Sequence, residues 1–69
     1  MPIIRIVDPN FLLGLTVENA REAVAEHGYD CRLVWADNHT IVPDYKPDYD
    51  PLRVNLYAEK NVVTKAIIG

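Results

Sequence analysis

From Tyr29 to Trp35 apolar and polar side chains alternate, with Cys31, Leu33 and Trp35 on one side and Arg32 and Val34 on the other, the period of a half-buried strand. The first set is expected to face the core. Leu52, Val54 and Leu56 alternate in the same way with Arg53, Asn55 and Tyr57. A third β-prone run, Val62 to Ile68, follows the polar turn Ala58-Glu59-Lys60-Asn61, so the last two strands are expected to form a hairpin. Between Val17 and about His27 the period changes. Val17, Ala20, Ala23 and Val24 share one face of a helix, while Glu18, Asn19, Arg21, Glu22 and Glu26 fall elsewhere. Thr16 is placed to cap that helix, because its hydroxyl can accept from a free amide of the first turn, and Gly28 is a natural stop. Ile3 to Val7 are β-branched around Arg5 and closed by Asp8-Pro9-Asn10, which reads as a short strand or an extended arm. Phe11, Leu12 and Leu13 are expected to anchor it to the core.

The stretch Ala36 to Pro51 fits neither period. It holds Pro43, Pro47 and Pro51, the tyrosines Tyr45 and Tyr49, and Asp37, Asp44, Asp48 and Asp50. Prolines lack the amide that a helix or an inner strand needs. A structureless loop of this length is uncommon in a small chain and is usually functional or disordered; prolines limit the unfolded ensemble and favour extended backbone, so the expectation is a displayed loop.

With 69 residues there is room for one domain and one core. The apolar fraction of 49% against 25% charged residues is that of a folded globular chain. A net charge of −3 with scattered basic residues argues against nucleic acid as a partner. No apolar run has the length of a membrane span, and Met1 to Ile6 lacks the basic-then-apolar order of a secretion signal, so the expected compartment is the cytoplasm. Cys31 is the single cysteine, which leaves no internal disulfide and no thiolate set for structural zinc; on the core face it acts as a small apolar residue. His27 suits a helix C-terminus, His39 lies in a turn, and neither has a ligand or base partner at working spacing. Asp44, Asp48 and Asp50 lack the glycine and the closing glutamate of a calcium loop and read as a solvated acidic loop beside Lys46 and Arg53. Asn38-His39-Thr40 fits the glycosylation pattern by chance in a polar turn. No nucleophile–base pair or phosphate loop is visible, so neither an enzyme nor a cofactor is expected.

Gly14-x-Thr16-Val17-Glu18-x-Ala20-Arg21 at the helix start, Thr40-Ile41-Val42 entering the loop, Arg53-Val54-Asn55-Leu56-Tyr57 leaving it and Asn61-Val62-Val63 beyond carry a resemblance. From Gly14 to Gly69 the chain resembles the potato inhibitor I family, which includes eglin and the small chymotrypsin inhibitors of seeds. The resemblance implies an α+β fold with one helix packed on a small mixed sheet. It also implies a protein partner: segment 40–53 would lie in a serine protease's active site like a substrate, supported from below by arginines of the following strand. Such pre-organisation leaves little ordering entropy to lose on binding. Carried over, the binding loop is Thr40, Val42, Pro43, Asp44, Tyr45, Lys46, Asp48 and Tyr49, and Arg53 is a support. Asn55 stands where the family has a second arginine. The loop is about three residues longer, with Tyr49-Asp50-Pro51 as the insertion, and either Pro43 or Asp44 precedes the scissile position.

Two other functions are compatible with these residues. One is a non-inhibitory binding module that blocks a host protein through the same loop, with Tyr45 and Tyr49 as interface anchors. The other is a homo-oligomer that pairs exposed strand edges such as Ile3 to Val7 and binds a small ligand between subunits.

Overall fold

The computed structural model describes residues 3–41 and 49–69. A 3₁₀ turn, Pro9–Leu12, precedes helix α1, Val17–Glu26, and four strands follow: β1, Asp30–Ala36; β2, His39–Thr40; β3, Arg53–Glu59; and β4, Val62–Ile68. The sheet order is β2-β1-β3-β4. The central pair β1 and β3 is parallel, and both outer pairs are antiparallel. This is a small α+β fold, one helix on a mixed sheet.

The helix forms where its local signals place it. The Thr16 hydroxyl accepts from the Asn19 amide at 3.2 Å, filling one of the donors that a helix start leaves open. At the other end Gly28 has φ +78°. Its amide donates to Ala25 at 2.9 Å and the Tyr29 amide to Val24 at 3.2 Å, the paired bonds of a Schellman stop, where a side chain would be strained. Ala20 and Val24 are fully buried and Ala23 packs at the rim. They meet Leu12, Val54, Leu56 and Val63 in one cluster.

Both hairpins turn through two residues of positive φ, Asp37 and Asn38 between β1 and β2, Lys60 and Asn61 between β3 and β4. This sense of turn matches the right-handed twist of the strands it joins. Asp37 ties the two turns together, since its carboxylate accepts from the Lys60 amide at 2.8 Å.

Of the two alternatives for residues 3–7, the extended arm is the one observed. It is held by the Ile4 amide on the His27 carbonyl at 3.0 Å, the His27 ring on the Ile4 carbonyl at 2.9 Å and the Ile6 amide on the Tyr29 hydroxyl at 3.1 Å. Four features differ from the reading of the chain alone. Of Phe11, Leu12 and Leu13 only Leu12 enters the core, because a 3₁₀ turn directs consecutive side chains about 120° apart. Phe11 instead leans on the His27 ring, 5.6 Å between centroids. Leu52 lies in a turn outside β3 and is exposed. His39 and Thr40 add a short edge strand where a plain loop was expected.

The fourth difference bears on the site. Leu33 pairs with Leu56 but Trp35 pairs with Tyr57, so β1 carries an extra residue between them. A bulge reverses the face of everything that follows it. Trp35 therefore leaves the helix side and joins Tyr57 on the opposite face.

The Asn61 side-chain amide donates to Glu18 at 3.1 Å, and the Val17 amide donates to the Asn61 carbonyl at 3.1 Å. This bond from Asn61, followed by the backbone amide of Glu18 itself, holds the Glu18 carboxyl below its ordinary value. A depressed carboxylate stabilises the fold above its unfolded pKa, about 4.3, and that contribution is lost as pH falls through the lower folded value. Glu18→Gln is accordingly expected to lower the unfolding midpoint at pH 7 and to match the wild type at acid pH, once the carboxyl is protonated in the folded state as well as the unfolded one. Thermal melts across that range check it. An equal deficit at both pH values would mean that the charge has no part in the effect.

Candidate functional site

Parallel pairing of β1 and β3 dictates a long connection, because the chain leaves β1 at one end of the sheet and must enter β3 at the other. A strand of this length spans roughly 20 Å. The two ends of the connection are fixed. The Ile41 amide donates to the Val34 carbonyl at 2.9 Å, fastening the exit from β2 beside the β1 bulge. At the return, the Asp50 carboxylate accepts from the Leu52 amide at 2.9 Å and its carbonyl from the Arg53 amide at 3.2 Å, a side-chain turn that aspartate favours. Leu52 then accepts from the Asp30 amide at 2.8 Å.

The face of the sheet turned away from α1 is chemically unlike the core face. Strand register places Arg32 beside Asn55, Trp35 beside Tyr57 and Thr40, Tyr57 beside Lys65, and Asn55 beside Ile67. Cross-strand partners share a face. Lys65 holds its ammonium 5.0 Å from the Tyr57 ring centre, a cation–π pair. Arg32, Arg53 and Lys65 thus gather on one face of an acidic chain, together with two aromatic rings.

Two of these side chains converge on one backbone group, and a third joins them through Asn55. Arg53 donates through Nε to the Gly69 oxygen at 2.9 Å, and Asn55 donates through Nδ2 to the same oxygen at 2.7 Å. The Gly69 amide returns a bond to Arg53 at 2.9 Å. The other end of the Asn55 amide accepts from Arg32 Nε at 3.1 Å. All three side chains are half-buried, where hydrogen bonds to charged donors are stronger than in open water. The Tyr49 ring lies against Gly69: a side-chain carbon there would sit 3.5 Å from Tyr49 Cδ2 and 3.6 Å from Asn55 Nδ2.

Of the binding-loop residues named from sequence, Thr40 lies in β2 and is exposed, and Tyr49 is 74% exposed. Val42, Pro43, Asp44, Tyr45, Lys46 and Asp48 lie outside the described residues. Arg53 and Asn55 are brought together on Gly69. Arg32 and Gly69 were not foreseen as part of this group. Alternation already put Arg32 off the core face, but only the β1–β3 register shows that it stands beside Asn55.

A groove of about 480 Å³ opens beside the return of the loop, between the arm at Ile3 and Val7 and the segment Tyr49 to Leu52. Its walls are mainly apolar, with Arg5 among the residues that line it. Cys31 packs at the rim of the core, and burial pushes its thiol pKa up, which keeps it protonated at neutral pH. Among the described residues no group of three or more His, Cys, Asp or Glu is placed to hold a metal ion. Nor is any described helix long and apolar enough to cross a membrane.

No protein family, curated protein or solved structure matches the chain.

Proposed function

We propose that the protein is a non-catalytic binding protein that presents segment 40–53 to a serine protease as a pre-organised, substrate-like loop on a potato inhibitor I-like fold. The observation that carries this reading is the convergence of Arg53 and Asn55 on Gly69, with Tyr49 of the loop's return resting on the same residue. Supports of this kind reduce the freedom that the loop would otherwise lose on binding. The anchored ends at Ile41 and Asp50 serve the same purpose.

The test is residual activity of trypsin-like, chymotrypsin-like, elastase-like and subtilisin-like proteases titrated with the protein, followed by mass spectrometry of the loop. Stoichiometric inhibition with an uncut loop is the expected result. Its site of slow cleavage then decides between Pro43 and Asp44. Absence of inhibition at micromolar protein across the panel overturns the reading.

The exposure of Tyr49 beside the apolar groove favours a second reading, a module that blocks a non-protease protein through the same loop. Large, rigid aromatic side chains of this kind often anchor interfaces. In the homo-oligomer reading, residues 3–7 form no strand, and the edges available for pairing would be those of the outer strands β2 and β4.

A further inference from the structure

We infer that the groove between the arm and the segment Tyr49 to Leu52 is a binding site for a small amphiphilic carboxylate, an unbranched apolar chain that ends in one anionic group. The site is independent of whatever segment 40–53 binds. Apolar side chains exposed singly need no explanation, but a contiguous set does. Ile3, Val7, Tyr49 and Leu52 are all exposed, and all border this one groove of about 480 Å³, a volume typical of small-molecule sites.

The polar groups in the wall favour an anion. Alternate residues of an extended arm point to the same side, and Ile3, Arg5 and Val7 all line the groove. A single cation thus stands between two apolar side chains along one wall. None of the described lining residues is acidic, so the wall itself supplies Arg5 with no counter-charge. Tyr29 also lines the groove and is only 8% exposed. Its hydroxyl accepts from the Ile6 amide at 3.1 Å, which uses an oxygen lone pair and leaves the hydroxyl proton to be donated. A guanidinium and a hydroxyl proton are both donors to a carboxylate, and the apolar walls cover the chain behind it. A peptide would need main-chain partners along the groove, whereas the Ile4 and Ile6 amides of the arm are committed to His27 and Tyr29. A neutral apolar ligand would make no use of Arg5.

The experiment is a heteronuclear NMR titration of the full chain with sodium octanoate and sodium decanoate below their micelle thresholds, and with octanol as the uncharged counterpart. Saturable shifts centred on Ile3 to Val7, Tyr29, Tyr49 and Leu52 are expected. Decanoate is expected to bind about fourfold more tightly than octanoate, the gain from two further methylenes that are each about half covered. Arg5 is exposed, so Arg5→Gln is expected to leave the thermal midpoint unchanged. The same variant is expected to weaken octanoate at least about threefold, the size of one exposed charge contact, and to leave octanol as it was. Val7→Asp puts a negative charge in the same wall and is expected to weaken octanoate at least as much. Absence of saturable shifts at these residues up to the micelle threshold overturns the inference, as does an equal loss of octanoate and octanol in Arg5→Gln. Shifts spread over the whole surface mean adventitious adsorption and overturn it too. So do groove shifts that follow protein concentration without ligand, which would mean that a second copy of the chain covers the groove.

Discussion

Leu56→Ala is expected to remove a large part of the stability of this protein. Leu56 is fully buried at the middle of β3, paired with Leu33 on one side and Ala66 on the other, and belongs to the cluster that Ala20 and Val24 of the helix close. Truncation deletes the transferred apolar surface and leaves a cavity that a central strand, held on both edges, cannot collapse to fill; Leu→Ala at such sites costs about 3 kcal/mol. A domain of this size has on the order of 3–10 kcal/mol in total. The unfolding midpoint should fall by roughly 12–24 °C, since each kcal/mol shifts a small domain by about 4–8 °C. Calorimetry or far-UV circular dichroism measures it. A fall of only a few degrees would mean that the core does not centre on β3.

Arg53→Ala separates binding from folding. The backbone bond from the Gly69 amide to the Arg53 carbonyl survives this change, whereas the Nε bond at 2.9 Å is lost together with whatever else the guanidinium holds. A hydrogen bond from a charged donor contributes about 1.5–3 kcal/mol when shielded, and the half-exposed setting of Arg53 argues for the lower end. If the loop is held as proposed, inhibition of the best-inhibited protease weakens by at least about tenfold, which is 1.4 kcal/mol. The midpoint should fall much less than for Leu56→Ala. The comparison is between inhibition constants and melting curves of the same preparations. Unchanged inhibition with a lowered midpoint would make Arg53 a structural residue with no part in presenting the loop.

The face that carries Arg53 also carries Trp35, Tyr57 and Lys65, and its character depends on the β1 bulge. Without the extra residue Trp35 would point into the space under α1, where Leu33 and Leu56 already fill the layer. Moving it across gives the open face a second aromatic ring beside Tyr57. The same bulge lies at Val34, whose carbonyl fastens Ile41 at the start of the loop. One local irregularity thus sets both the composition of the supporting face and the point where the loop departs.

Helix α1, its two caps, the strand from Arg53 onward and the β3–β4 hairpin were legible in the sequence by itself. Each is specified by contacts between residues close along the chain: a hydroxyl three residues from its amide, a glycine at the helix stop where φ is positive, apolar side chains at a strict period. The pairing of β1 with β3, the bulge that turns Trp35 over, the two-residue edge strand and the meeting of Arg32 with Asn55 were decided by the tertiary structure. Apart from the edge strand, which pairs Trp35 with the nearby Thr40, these depend on register between segments more than twenty residues apart, where a one-residue slip exchanges the two faces of a strand. Local periodicity says that Arg32 avoids the core. Only the packed sheet says which residue it stands beside.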